Sequence, residues 1–225
     1  MKGKKIFYCE LAYAAGIAIL ALGTAMMEKA DFGMSMIVAP AYLLHLKLSQ
    51  YLPFFSFGMS EYVLQAVLLI LVAVVMRKVK KSYFLSFATA CIYGVVLDVM
   101  MSIMALLPCD GLVWRMVFFA VGLLTCTFGV AFLFRTYFPP GAYELLVKEF
   151  SEKFHTPLSK VKTIYDSSSF MLSVVLSLSF FGGFVGISWG TIVCTIFNGW
   201  LIGKFGKLLE AKFEFKDALP LRDKL

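Results

Sequence analysis

The stretch GLVWRMVFFAVGLLTCTFGVAFLF, from Gly111 to Phe134, carries a single charged residue, Arg115 near its start. Crossing about 30 Å of hydrocarbon takes roughly 20 helical residues, so this run alone is long enough to span a bilayer. Five further runs flank it. Ile6 to Met27 is broken by Glu10, Tyr83 to Leu107 carries Asp98, and Phe184 to Ile202 has no charge. Tyr62 to Met76 and Ser167 to Phe181 are shorter. All six read as helices, because a spanning segment must satisfy its own backbone hydrogen bonds and barrel strands would alternate polar with apolar residues.

The composition agrees. The chain of 225 residues is 60% hydrophobic and only 16% charged, with a mean hydropathy of +0.85. A water-soluble chain of this size needs far more polar surface. The net charge of +7 does not mark a nucleic-acid binder, since the 21 Lys and Arg fall almost wholly between the apolar runs. The partner it implies is the lipid bilayer. The first run follows Lys2, Lys4 and Lys5 but is too long for a cleavable signal and is read as retained.

Cytoplasmic loops are enriched in Lys and Arg, and here the enrichment alternates. Lys2, Lys4 and Lys5 precede the first run, and Arg77, Lys78, Lys80 and Lys81 follow the second. Arg135, Lys148, Lys153, Lys160 and Lys162 follow the fourth, and Lys204, Lys207, Lys212, Lys216, Arg222 and Lys224 follow the sixth. The intervening loops hold few or none. The pattern predicts six spans with both termini in the cytoplasm.

Shifting the chain by about 105 residues aligns its halves. Gly23 falls on Gly129, Glu61 on Asp166, Glu10 on Arg115, and Ile92-Tyr93-Gly94 on Phe197-Asn198-Gly199. A repeat of three spans is odd, so the second copy enters the membrane from the opposite side, as in many secondary transporters. The expected fold class is therefore all-α, a polytopic membrane protein of two inverted three-helix repeats, 1–107 and 108–208, followed by a cytoplasmic tail, 209–225. A re-entrant or interfacial helix is expected after the first and fourth spans. Ala142 to Phe154 places Tyr143, Leu146, Val147, Phe150 and Phe154 on one helical face and Glu144, Lys148, Glu149, Glu152 and Lys153 on the other. Pro139, Pro140 and Gly141 start it. Thr156-Pro157 reads as a helix start for the fifth span. Met34 to Leu48 is more apolar and either dips into the membrane or lies on it.

Intramembrane ionisable residues mark pathways and relays, which singles out Asp98. Glu10 lies one turn inside the edge, where snorkelling is an equal reading. Thr191, Thr195 and Asn198 share one face of the sixth span. Asp98, Asn198, Tyr93, Ser35, Pro40, Glu10 and Thr191 are the candidate substrate-binding residues. No enzyme signature, catalytic residue, cofactor motif or metal site is expected: the chain lacks a phosphate loop, and its five Cys and two His have no zinc spacing.

Ala142-Tyr143-Glu144-Leu145-Leu146, Lys160-Val161-Lys162, Gly186-Ile187-Ser188-Trp189-Gly190-Thr191-Ile192 and Phe197-Asn198-Gly199 together resemble the YczE, YyaS and YitT-like family of bacterial membrane proteins. The resemblance implies a bacterial cytoplasmic membrane location and a transport-like role without a substrate. The expected function is a secondary carrier for a small polar solute, with proton or cation coupling through Asp98. The alternative is a membrane scaffold or sensor docking a cytoplasmic partner.

Overall fold

The computed structural model describes residues 5–139 and 141–218, the side chains at positions 158 and 159 excepted. Lys2, Lys4, Pro140, Arg222 and Lys224, used above, lie outside the described residues. Among the described residues the fold is helical apart from one small sheet. Its elements are β1 (Lys5–Tyr8), α1 (Cys9–Ala30), α2 (Ala39–Leu48), α3 (Phe57–Met76), α4 (Lys81–Ala105), α5 (Leu112–Leu133), α6 (Ala142–Phe154), α7 (Leu158–Phe181), α8 (Trp189–Lys212) and β2 (Phe213–Lys216). Six of the helices are long and apolar enough to cross a membrane. The chain is a multi-pass membrane protein in contact with lipid.

The helix ends follow local chemistry. Ser56 caps α3 by accepting from the Met59 N–H at 3.1 Å, and Ser188 and Thr191 form a reciprocal capping box at the start of α8. That cap corrects the sixth span. Residues 184–188 belong to the connection, where Gly182 and Gly186 adopt positive φ, and the helix starts at Trp189 and runs on to Lys212. The second and fifth runs are full-length helices whose first turns carry polar residues. They look short in the sequence because hydropathy falls at Glu61 and Asp166, both inside helices.

α1 and α5 form the centre. They run antiparallel, and their backbones approach at glycines two turns apart on each helix. A Cβ on Gly23 would lie 2.4 Å from the Cys126 amide nitrogen, and one on Gly129 would lie 2.5 Å from that of Leu20. The contacts are reciprocal: Gly16 meets the Gly129 carbonyl while Gly129 meets the Gly16 carbonyl, and Gly23 and Gly122 do the same. Lipid tails offer no hydrophobic drive for helices to associate, so small residues that permit close packing do this work.

The other elements are arranged around this seam. α4 packs on α1 and α8 on α5. α2 touches α3 and α7, and α6 touches α3, α4 and α7. The charges near the starts of α1 and α5 also reach across. Arg115 donates to the Ala30 and Asp31 carbonyls at 2.8 Å each, closing the end of α1. Glu10 accepts from the Tyr137 hydroxyl at 2.7 Å, just past the end of α5.

β1 and β2 pair in parallel, with Phe7 packed edge-on against Phe213 and Phe215. The sheet ties both ends of the described chain to the same end of the bundle. In α6, Glu149 departs from the expected wet face. It is buried, and accepts from the Lys80 ammonium at 2.6 and 2.7 Å and from the Tyr83 hydroxyl at 3.2 Å. Phe154 is exposed instead. The ion pair beneath α6 outweighs its simple amphipathic pattern.

Candidate functional site

Beside the α1–α5 seam lies a cavity of about 290 Å³. α1, α4, α5, α7 and α8 all contribute to its wall, and the chain between α1 and α2 and that between α5 and α6 contribute at Ser35 and Pro139. A broader depression of about 410 Å³ beside Glu28, Asp31 and Tyr42 draws only on α1, its C-terminal turn, α2 and α4. The central cavity is the one built from both halves of the chain.

Each connector is held by the other half. Ser169 on α7 donates to the Met36 carbonyl at 2.8 Å, and the Met34 N–H donates to the Gly186 carbonyl at 2.9 Å. The Ala142 N–H donates to Gln65 Oε1 of α3 at 3.2 Å, and Thr89 of α4 to the Pro139 carbonyl at 3.3 Å. Irregular backbone within a membrane protein persists only where such partners satisfy it.

Most of the wall is apolar, and its polar groups form short chains. The Tyr13 hydroxyl donates to Thr89 Oγ1 at 2.8 Å and that of Tyr93 to Thr24 Oγ1 at 3.1 Å. Tyr143 donates to Glu61 Oε2 at 2.7 Å, and Gln65 Nε2 donates to the same oxygen at 3.0 Å. Glu61 is fully buried behind Gln65 and Tyr143, and its Oε1 has no hydrogen-bond partner among the described residues. Asp166 Oδ1 and Asn198 Oδ1, both on the wall, are buried and likewise unpartnered. Asp166 Oδ2 faces Lys162 Nζ at 3.5 Å. Burial raises the affinity of the Glu144 carboxyl for its proton. Burial, then the nearby Glu61 charge, pushes the Tyr143 hydroxyl far above the usual phenol range, so it stays a proton donor.

Of the residues singled out from the sequence, Tyr93, Ser35 and Asn198 meet on this wall. The others sit elsewhere. Asp98 accepts from the Ser56 hydroxyl at 2.6 Å and the Gly58 N–H at 2.8 Å, securing the start of α3. Pro40 is buried in the first turn of α2. Thr191 is committed to the α8 cap, and Glu10 to Tyr137. Glu61, Gln65, Tyr143, Glu144, Lys162 and Asp166 were not singled out as site residues. The signal for two of them was available, since Glu61 and Asp166 coincide under the 105-residue shift. Among the described residues no group of three or more His, Cys, Asp or Glu side chains is placed to hold a metal ion.

No curated protein and no solved structure matches this chain. A family model does match, over residues 7–207, and by that match the chain belongs to DUF6198, a family of unknown function.

Proposed function

We propose that this protein is a secondary carrier for a small polar solute, built from two inverted three-helix repeats with the solute site in the central cavity. It would lie in the bacterial cytoplasmic membrane with both termini inside, as a relative of the YczE, YyaS and YitT-like proteins. α2 and α6 would be the matched re-entrant or interfacial helices of the two copies. The observation that carries the reading is a cavity between the halves whose wall and hidden neighbour Glu61 hold unpartnered polar oxygens. Buried polar groups without partners are costly, and inside a membrane protein they mark pathways.

Three further features support the repeat. The glycine contacts of the seam are reciprocal, the kind of contact a two-fold axis generates. Each connector is held from the opposite half. The parallel β1–β2 pair joins the two ends of the described chain, an arrangement that an even number of crossings allows. Tyr93, Ser35, Asn198 and Asp166 would contact the solute, and Asp98 would position α3.

The test is flux in proteoliposomes against a panel of amines, amino acids, carboxylates and sugars. At least one solute should move down an imposed gradient, and Ser35→Trp, which fills the cavity, should slow it at least tenfold. Protein that stays monodisperse and moves no panel member would contradict a carrier.

A further inference from the structure

The hydrogen-bond inventory of the cavity is one-sided. Its hydroxyl donors are largely spent inside the protein. Tyr13, Tyr93 and Tyr143 donate to Thr89, Thr24 and Glu61, while Thr24 and Thr195 donate to the Leu20 and Thr191 carbonyls at 3.0 and 2.8 Å. The Gln65 amide is also committed, its nitrogen to Glu61 and its oxygen to the Ala142 N–H.

Among the described residues, the buried side-chain atoms left without a partner on or behind this wall are oxygens. Glu61 Oε1 and Asp166 Oδ1 are carboxylate oxygens with no proton to give when ionised. The Asn198 amide can present either its oxygen or its nitrogen, so the two carboxylates decide the balance. The unpartnered buried donor among the described residues, Arg135 Nε, is not part of this wall.

The carboxyl groups point the same way: Glu144 and Asp166 line the cavity and Glu61 lies behind it, and a cation seated there would favour the ionised form of Glu144 that burial disfavours. Lys162 is half exposed, faces the Oδ2 side of Asp166 and lies close enough to Glu144 to favour its ionised form. The rest of the wall is apolar, from Ile17 and Leu20 on α1 to Val130 and Leu133 on α5, and would cover a hydrocarbon body. An ammonium group offers donors and no acceptor, the complement of the Asp166 and Glu144 carboxyl groups on the wall.

The geometry points to a small organic cation as the solute: an apolar body seated along α1 and α5, with its ammonium group directed at Asp166 and Glu144. This rests on the cavity being the carrier's site and adds the chemical class that the site takes.

Three probes of similar body and different head separate the possibilities: 2-phenylethylamine, 2-phenylethanol and phenylacetate. Each is titrated calorimetrically into the full chain in nanodiscs of zwitterionic lipid, with empty nanodiscs subtracted. The amine should bind at least tenfold tighter than the alcohol, and phenylacetate should give no signal. Asp166→Asn should bring the amine down to the affinity of the alcohol while leaving alcohol binding unchanged. Should that variant lose the alcohol as well, Glu144→Gln carries the same test.

Phenylacetate binding as well as the amine, no amine binding, or an amine affinity unmoved by a variant that keeps the alcohol would each overturn the cation site. Amine binding without flux in proteoliposomes would retire the carrier and keep the cation site. Flux of an anionic solute alone would do the reverse.

Discussion

α3 with α4 and α7 with α8 are the same pair of helices under the 105-residue shift, yet they are joined differently. α3 and α4 are latched. A Cβ on Gly58 would lie 2.3 Å from the Gly94 carbonyl, and Asp98 grips the start of α3 through Ser56 and Gly58. At the shifted positions, Val161 replaces Ser56, Thr163 replaces Gly58, and Gly203 replaces Asp98. Cap, close approach and carboxylate are all gone. α7 and α8 scarcely touch, and a Cβ on Gly199 or Gly203 would meet nothing within 4 Å. α7 is held instead by α2 and α6, with Ser169, Ser173 and Ser177 buried at one-turn spacing. One half is closed by backbone contact, and the other leaves a gap beside Asp166 and Asn198, where the cavity is polar.

The comparison can be broken at points of decreasing severity, each read as a thermal melt in detergent. Gly23→Ala in the central seam comes first. Its Cβ meets the α5 backbone at Cys126 and Gly122, which cannot move aside cheaply, so a loss of about 3 kcal/mol is expected, the upper end of ordinary overpacking. Gly94→Ala should cost about 2 kcal/mol, because its Cβ meets the Tyr62 ring, which can swing, as well as the Gly58 carbonyl.

Asp98→Ala should cost about 1 kcal/mol, because the Ser56 hydroxyl and the Gly58 N–H lose their acceptor. Asp98→Asn should retain most of that and leave any solute flux in place. Loss of flux with unchanged stability would return Asp98 to the pathway. Gly199→Ala, the counterpart of Gly94→Ala, should change stability by no more than about 0.5 kcal/mol. Equal costs at Gly94 and Gly199 would erase the asymmetry.

Much of this was legible in the sequence. The long apolar runs gave the helices, since the bilayer's thickness constrains length and leaves little freedom in conformation. Thr156-Pro157 marked the start of α7 to within a residue, but Pro157, with ψ of 133°, is the N-cap itself and Leu158, not Pro157, opens the helix. The shift that pairs Tyr93-Gly94 with Asn198-Gly199 brought two cavity residues forward.

Asp98 shows what a single sequence hides. A lone carboxylate in a span reads as a pathway residue, but its partners lie some 40 positions earlier, in the turn before α3. Glu61 and Asp166 fell out for the opposite reason: hydropathy ends a span at a carboxylate even where the helix continues. The β1–β2 pair was absorbed into the first span and the tail, because four-residue strands at opposite ends of a chain leave no periodic signal.

The most direct test of the account concerns how the halves are oriented. Pro53 lies between α2 and α3, and Pro157 immediately before α7. On a background lacking the five native cysteines, Pro53→Cys and Pro157→Cys are labelled in intact cells with a membrane-impermeant maleimide, before and after permeabilisation. Inverted halves predict that position 53 reacts from outside in intact cells and position 157 only once the membrane is opened. Reaction of both from the same side would contradict the inverted arrangement and the shared cavity built on it.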